Sequence, residues 1–265
     1  MTLEILISTL DEGINNIPAM LLEPCDGIGY LVSWQHSDGV TIAMPEQLKR
    51  YDVKVYDLAG RGLSRNRNNC LRYASADLCL IADDDCQYTH EQLQAVIDTF
   101  EQHPEVDIAT FKFEGEGSSK FYPKESFNLS SFPKGFFISS IEITFRRESI
   151  QGKIEFNENF GLGAEVLHCG EEHIFIQDAI SNGLTCRFFP ITIVKENDST
   201  ICVARDNEPG TLMAHGAIVQ LYHSKTKYMR IAIKAYRLWR DRNVPFFKAL
   251  WHMNKGFKYI KSHPR

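Results

Sequence analysis

Residues Leu78-Cys79-Leu80-Ile81-Ala82-Asp83-Asp84-Asp85 constrain the fold more than any other stretch of the chain. Five apolar residues ending abruptly at three adjacent carboxylates have the length of an interior strand rather than a helix. Such a buried strand delivers its carboxyl end to an edge, and in open α/β sheets the crevice beyond those ends is where ligands bind. Three neighbouring aspartates repel one another, and a cation is the simplest way to keep them ionised together. Carboxylate oxygen is the hard ligand that Mg2+, Mn2+ or Ca2+ prefers, and Mg2+ is typically shared between one or two carboxylates and substrate phosphates. The competing reading makes the aspartates a cap for the next helix. Thr89-His90-Glu91-Gln92, however, already supplies a capping box there.

The rest of the chain alternates around this strand. Strands are predicted over 3–10, 28–34, 53–56, 77–82, 106–113, 136–145 and 185–194, and helices over 11–22, 63–74, 91–102 and 171–181. Pro18 strains the first of those helices. Leu93, Val96, Ile97 and Phe100 fall on one face of the third. Elements in this order make βαβ units and a largely parallel sheet with right-handed crossovers. Residues 115–135, rich in Gly, Ser, Lys, Pro and Phe, form the longest irregular stretch, of the kind that is functional or mobile. A polar loop is expected over 195–210, and from Leu212 the pattern is helical with a break near Asn243-Val244-Pro245. The division that follows is 1–210 for the sheet and 211–265 for a helical extension.

Composition matters most through its asymmetry. Residues 211–265 hold twelve Lys/Arg and one acid, a charge of +11, whereas the preceding 210 residues hold 17 basic and 33 acidic side chains, a charge of −16. A split of this kind points to a basic tail with its own task. Met229, Ile233, Tyr236, Phe246, Phe247, Leu250, Trp251, Phe257 and Ile260 recur there at helical intervals among the basic residues. One reading is an interfacial helix drawn to anionic lipid at the inner face of a membrane. The other is a pair of helices packing on the sheet with a solvated basic face. Nucleic acid is not an expected partner, since no recognised binding motif accompanies the charge. Seven scattered cysteines without a C-x-x-C pair argue against a disulfide framework or zinc site. The N-terminus lacks a leader pattern and no apolar stretch reaches the length of a span, so a cytoplasmic location is expected.

Gly62-Leu63-Ser64-Arg65-Asn66-Arg67-Asn68 is a glycine turn leading into a helix, a candidate anion cradle with arginine able to fork onto phosphate. Neither a P-loop nor a G-x-G-x-x-G after the first strand is present, and the histidines show no zinc spacing.

The order Gly62-x-Ser64-x-x-Arg67-Asn68, Asp77, apolar strand, Asp83-x-Asp85 resembles the family 2 glycosyltransferases of GT-A fold. Downstream, residues 156–163 (Phe-Asn-Glu-Asn-Phe-Gly-Leu-Gly) and Gly170-Glu171-Glu172 resemble that family's acceptor-side segment and its paired-acid motif. The resemblance spans about residues 3–200. It implies an α/β GT-A sheet with helices on both faces and an inverting transfer of one sugar from a nucleotide-diphosphate donor, uridine-linked by preference. The acceptor would be a hydroxyl of a saccharide or a lipid-linked molecule. Asp85 would ligate Mn2+ or Mg2+, with Asp83 on the ribose or on the metal through water and Asp84 beside them at the nucleotide. Thr9 and Gln35 fall where the family holds the base, Gly62 and Ser64 in the turn that leads to the nucleotide, and Arg67 would approach it across the cleft. Glu171 or Glu172 would be the catalytic base, Glu172 being the closer match.

Two positions depart from the family pattern. The second strand ends Ser33-Trp34-Gln35-His36 rather than in an Asp-Asp-x-Ser run, and Lys195 or Glu196 stands where a histidine often follows the last strand. Two other functions fit the same residues: a nucleotidylyltransferase-like enzyme, for which residues 8–13 are a poor phosphate loop, and a non-catalytic membrane-associated binding protein. Sugar transfer needs the departing diphosphate neutralised and a carboxylate to take the acceptor's proton, and Glu171 and Glu172 sit at a helix start, where the dipole favours negative charge.

Overall fold

Alternation along β1 (Leu3–Leu10) sorts its side chains into two sets, and both are buried. Leu3, Ile5 and Ile7 face one hydrophobic core, and Leu6 faces another. β4 (Leu78–Asp83) repeats the arrangement, with Leu78, Leu80 and Ala82 on the first side and Cys79 and Ile81 on the second. Strands buried on both faces require an interior place in a covered sheet. The computed structural model, which describes residues 1–115, 120–196, 207–242 and 244–264, has that sheet. The chain divides into two compact units. One comprises Met1–Arg61, Arg65–Phe156 and Phe175–Ser199, the other Gly62–Ser64, Asn157–Ile174 and Thr200–Arg265.

The first unit holds the sheet. β2 (Ile28–His36) lies parallel to β1 on one side, with β3 (Val53–Ala59) parallel beyond it, and β4 lies parallel on the other side. Past β4 comes β8 (Ile143–Arg146), antiparallel, then β6 (Ile108–Gly115) and β9 (Cys186–Glu196), parallel to each other. β5 (Cys86–Gln87) and β7 (Phe127–Asn128) add two-residue antiparallel pairings to β9. The sheet is thus mixed but mostly parallel, in the order β3-β2-β1-β4-β8-β6-β9-β5.

Helices cover both faces. α2 (His90–Gln102) buries Leu93, Val96, Ile97 and Phe100 in the first core. It starts with the expected capping box: Thr89 Oγ1 accepts from Gln92 N, and Gln92 Oε1 accepts from Thr89 N at 2.9 Å. A cap of this kind stabilises by about 1 kcal/mol. On the second face lie Cys70 and Leu71 of α1 (Leu63–Tyr73) with Phe175, Ile176 and Ala179 of α4 (Glu171–Ser181). A single turn, α3 (Arg147–Ile150), follows β8.

Three expectations are corrected. The helix over 11–22 is two 3-10 turns, Asp11–Asn15 and Ile17–Ala19. Asp11 adopts a φ of 49° and Pro18 has no N–H to give, so an α-helical ladder cannot form there. The strand over 136–145 shrinks to β8, because Ser139 and Glu142 cap a 3-10 turn at Ser140–Glu142. Glu142 is fully buried and accepts from Lys120 Nζ at 2.7 Å and from Tyr122 OH, which anchors the irregular stretch before it. Finally, the basic tail forms three helices rather than two: α5 (Pro209–Tyr222), α6 (Lys227–Arg242) and α7 (Phe246–Ser262). Residues 116–119 of the irregular stretch, 197–206 of the expected polar loop and Asn243 of the expected break lie outside the described residues.

The second unit has its own core. Leu212, Ile231, Ala235, Leu238, Met253 and Phe257 join α5, α6 and α7. Phe160, Leu167, Ala214, Ala217 and Ile260 tie α5 and α7 to the segment before α4. Helices α5 and α7 meet backbone to backbone: a Cβ on Gly216 would stand 2.0 Å from Met253 O, and one on Gly256 1.9 Å from Met213 O.

Candidate functional site

Parallel register aligns the carboxyl ends of β1, β2 and β4. Ser8 lies opposite Asp83, and Leu10 opposite Gln35, so Thr9, Gln35 and Asp83 share one edge of the first unit. Asp84 and Asp85 form the turn between β4 and β5. The three acids meet different surroundings. Asp83, with a third of its side chain exposed, accepts from Arg67 Nη2 at 3.1 Å. Asp84 accepts from Thr9 Oγ1 and packs on Gly13, where a Cβ would stand 2.1 Å from its Oδ2. Burial pushes the Asp84 carboxyl above the usual carboxylate range. Asp85 is half-buried. β5 then pairs Cys86 with Glu196 and Gln87 with Lys195, bringing the end of β9 alongside the chain that leaves Asp85.

Gln35 is 2% exposed, and its buried Nε2 has no hydrogen-bond partner among the described residues. An unspent buried donor costs about 1–3 kcal/mol, which a bound acceptor would recover. On the same edge is Asp11, which the sequence did not single out. Its carboxylate accepts from Ser37 N at 2.8 Å and Ser37 Oγ at 2.6 Å, its carbonyl accepts from Trp34 Nε1 at 2.9 Å, and Arg61 Nη2 stands 3.8 Å away. The Ser37 hydroxyl, then its backbone N–H, hold the Asp11 carboxyl below its ordinary value. A polar residue just after the first strand was the only available signal, since positive φ at an aspartate leaves no mark in sequence.

The Arg67-Asn68 block proves to be a bracket. Asn66 Nδ2 donates to Thr9 O at 2.9 Å, and Asn69 Nδ2 to Ser33 Oγ at 2.8 Å. Asn68 exchanges two hydrogen bonds with the Phe156 backbone, at 2.7 and 2.9 Å. The Arg67 side chain is 1% exposed, with Cζ 5.5 Å from the Phe156 ring centroid. Its guanidinium therefore reaches Asp83 from inside the fold.

The remaining expected residues lie in the second unit. Gly62 has a φ of 126° and leads into Leu63, whose N–H donates to Leu162 O at 2.8 Å. Ser64 is buried and donates its hydroxyl to Phe160 O at 2.6 Å. Gly161 has a φ of 101°; a Cβ there would meet Ser64 Oγ at 3.0 Å and Glu171 Cδ at 3.1 Å. Glu171 is accordingly 3% exposed. Glu172, turned about 100° further around the helix, is half-buried. Tyr222 OH donates to Ile174 O at 3.4 Å and so steadies this first turn of α4.

Among the described residues no group of three His, Cys, Asp or Glu side chains is gathered as a metal cage. The oxygen-only donors at the β4 end instead suit a hard divalent cation that completes its shell from substrate phosphates.

Residues 37–167 match the family model described as Glycosyl transferase family 2. Among solved structures, S. aureus TarS 1-349 is similar with a TM-score of 0.62 at 15% identity, over 99% of this chain and 92% of that one. TarS 1-349 in complex with UDP gives 0.57 at 16% identity, over 91% and 72%, and its complex with UDP-GlcNAc gives 0.56 at 17%, over 91% and 73%. At these identities the likeness establishes the fold, a GT-A sheet. No curated protein sequence matches the chain. Among the described residues no helix is long and apolar enough to cross a membrane.

Proposed function

We propose that this chain, which carries a family 2 glycosyltransferase domain on a GT-A fold, moves one sugar from a uridine-diphosphate donor to a hydroxyl of a saccharide or lipid-linked acceptor, with inversion. The observation that carries the reading is the shared edge of β1, β2 and β4, where acids and a buried amide donor converge. Gln35 Nε2 would donate to a carbonyl of the base. Asp85 and Asp83 would hold Mn2+ or Mg2+, and Arg67 would keep Asp83 oriented. Such an ion supplies neutralisation of the departing diphosphate. Glu172 would take the proton from the acceptor hydroxyl as its oxygen bonds to the anomeric carbon, while the bond from that carbon to the diphosphate breaks and its electrons leave with the diphosphate. Binding of UDP and UDP-GlcNAc by the similar TarS supports the choice of donor class. The +11 charge of residues 211–265 supports peripheral attachment to an anionic membrane, where a lipid-linked acceptor would reside.

Calorimetry of UDP with Mn2+ or Mg2+ tests the reading. Asp85→Ala should abolish metal-dependent binding while the melting temperature holds. Unchanged affinity and unchanged metal dependence would remove Asp85 from the site.

A further inference from the structure

Helix α6 is apolar on two faces. Ile231, Ala235 and Leu238 are buried in the core of the second unit. On the opposite side Met229, Ile233 and Tyr236 follow the i, i+4, i+7 spacing of a single stripe, each between 45% and 59% exposed. Exposed Tyr228 and Trp239 border the stripe on one flank, and Arg230 and Arg237 on the other. α7 adds Phe247 and Trp251, one turn apart and 81% and 56% exposed, with Lys255 Nζ 3.6 Å over the Trp251 ring. Single exposed apolar residues are ordinary; a continuous stripe rimmed by cations marks an interaction surface.

We propose that the outer face of α6, together with the exposed Phe247 and Trp251 of α7, inserts into the interface of an anionic lipid bilayer. Two observations select lipid over a protein partner. The stripe mixes Met, Ile, Tyr and Trp, residues that settle at the level of the headgroups, while the flanking Arg and Lys stems allow their charges to reach anionic headgroups. Moreover, Asp241 is the only acid in residues 211–265, so a second copy of the same face would bring like charge against like charge. The inference rests on the reading of residues 211–265 as the membrane-directed part of the molecule, and it names the surface that makes the contact.

The test is co-sedimentation of the full chain with vesicles of phosphatidylcholine, with and without phosphatidylglycerol. Wild type should sediment with the anionic vesicles at low salt and be partly released at high salt. The triple variant Met229→Ser/Ile233→Ser/Tyr236→Ser should bind them about tenfold more weakly or worse, with melting temperature and UDP affinity unchanged. Phe247→Ser/Trp251→Ser should act in the same direction. Failure of wild type to bind anionic vesicles, or equal binding by the triple variant, overturns the proposal. So does a wild-type dimer that the triple variant dissolves, because the stripe is then a homotypic interface. Loss of UDP binding by wild type with vesicle binding intact would instead defeat the donor assignment and leave this surface standing.

Discussion

Two runs of adjacent acids, Asp83-Asp84-Asp85 at the end of β4 and Glu171-Glu172 at the start of α4, look alike in sequence and are handled alike by the fold. In each, one carboxylate is drawn inward and committed: Asp84 to Thr9 and the Gly13 backbone, Glu171 to the space that Gly161 leaves open. At the end of β4 all three aspartate side chains are half-buried, with Asp83 held by Arg67 Nη2; at α4 Glu171 is buried and Glu172 half-buried. The difference lies in the sorting device. A tight turn after a strand sends successive side chains apart, whereas a helix rotates them by about 100°. Adjacent acids that look equivalent in sequence are therefore given different partners by the backbone beneath them.

The sharpest way to break this comparison is at α4. Glu172→Gln keeps the shape of the side chain and removes the proton acceptor, so transfer should fall by roughly two to four orders of magnitude with UDP affinity retained. Glu171→Gln should lower thermal stability and affect transfer less, because its buried carboxylate fills the space that Gly161 leaves open. Steady-state rates and melting curves on both variants decide it. The reverse pattern would exchange the two roles.

A smaller effect is expected at the β4 end. Arg67→Met removes the buried donor that orients Asp83 and should cost about 2 kcal/mol of stability, together with a loss of metal-dependent UDP affinity. Arg67→Lys should restore the charge without the reach and the fork, and so rescue affinity only in part. If Arg67→Met leaves affinity untouched, Asp83 does not depend on this partner.

How far such roles can be read from the chain follows from which interactions are local. The alternation in residues 3–7, the apolar face of α2 and its Thr89–Gln92 box are set by neighbours within a turn or two, and the fold reproduces them. The helix over 171–181 is found at those bounds for the same reason. What pattern could not convey is long-range. Nothing in the order of residues pairs Arg67 with Asp83 or Ser64 with the Phe160 carbonyl. Both partners are set by tertiary packing. The tail illustrates a third limit: periodicity announced that α6 is amphipathic, but not that it is apolar on two faces with only one of them buried.

The smallest expected effect uses pH to separate two acids at the carboxyl ends of β1 and β4. Ser37 holds the Asp11 carboxyl below its ordinary value, so Asp11 contributes stability that is fully present above the unfolded value of about 3.9 and is lost as pH falls through its lower folded value. Burial pushes Asp84 the other way, so its contribution is present below that unfolded value and is lost as pH rises through its higher folded value. Asp11→Asn should therefore lower the melting temperature at neutral pH, and its difference from wild type should shrink on acidification. For Asp84→Asn, which cannot ionise, the melting temperature relative to wild type should rise as pH increases from the acid range toward neutral. Melting curves recorded across the acid range would show slopes of opposite sign. Slopes of the same sign would mean that Asp84 is ionised in the folded chain as readily as Asp11, and that the end of β4 presents three charged acids rather than two.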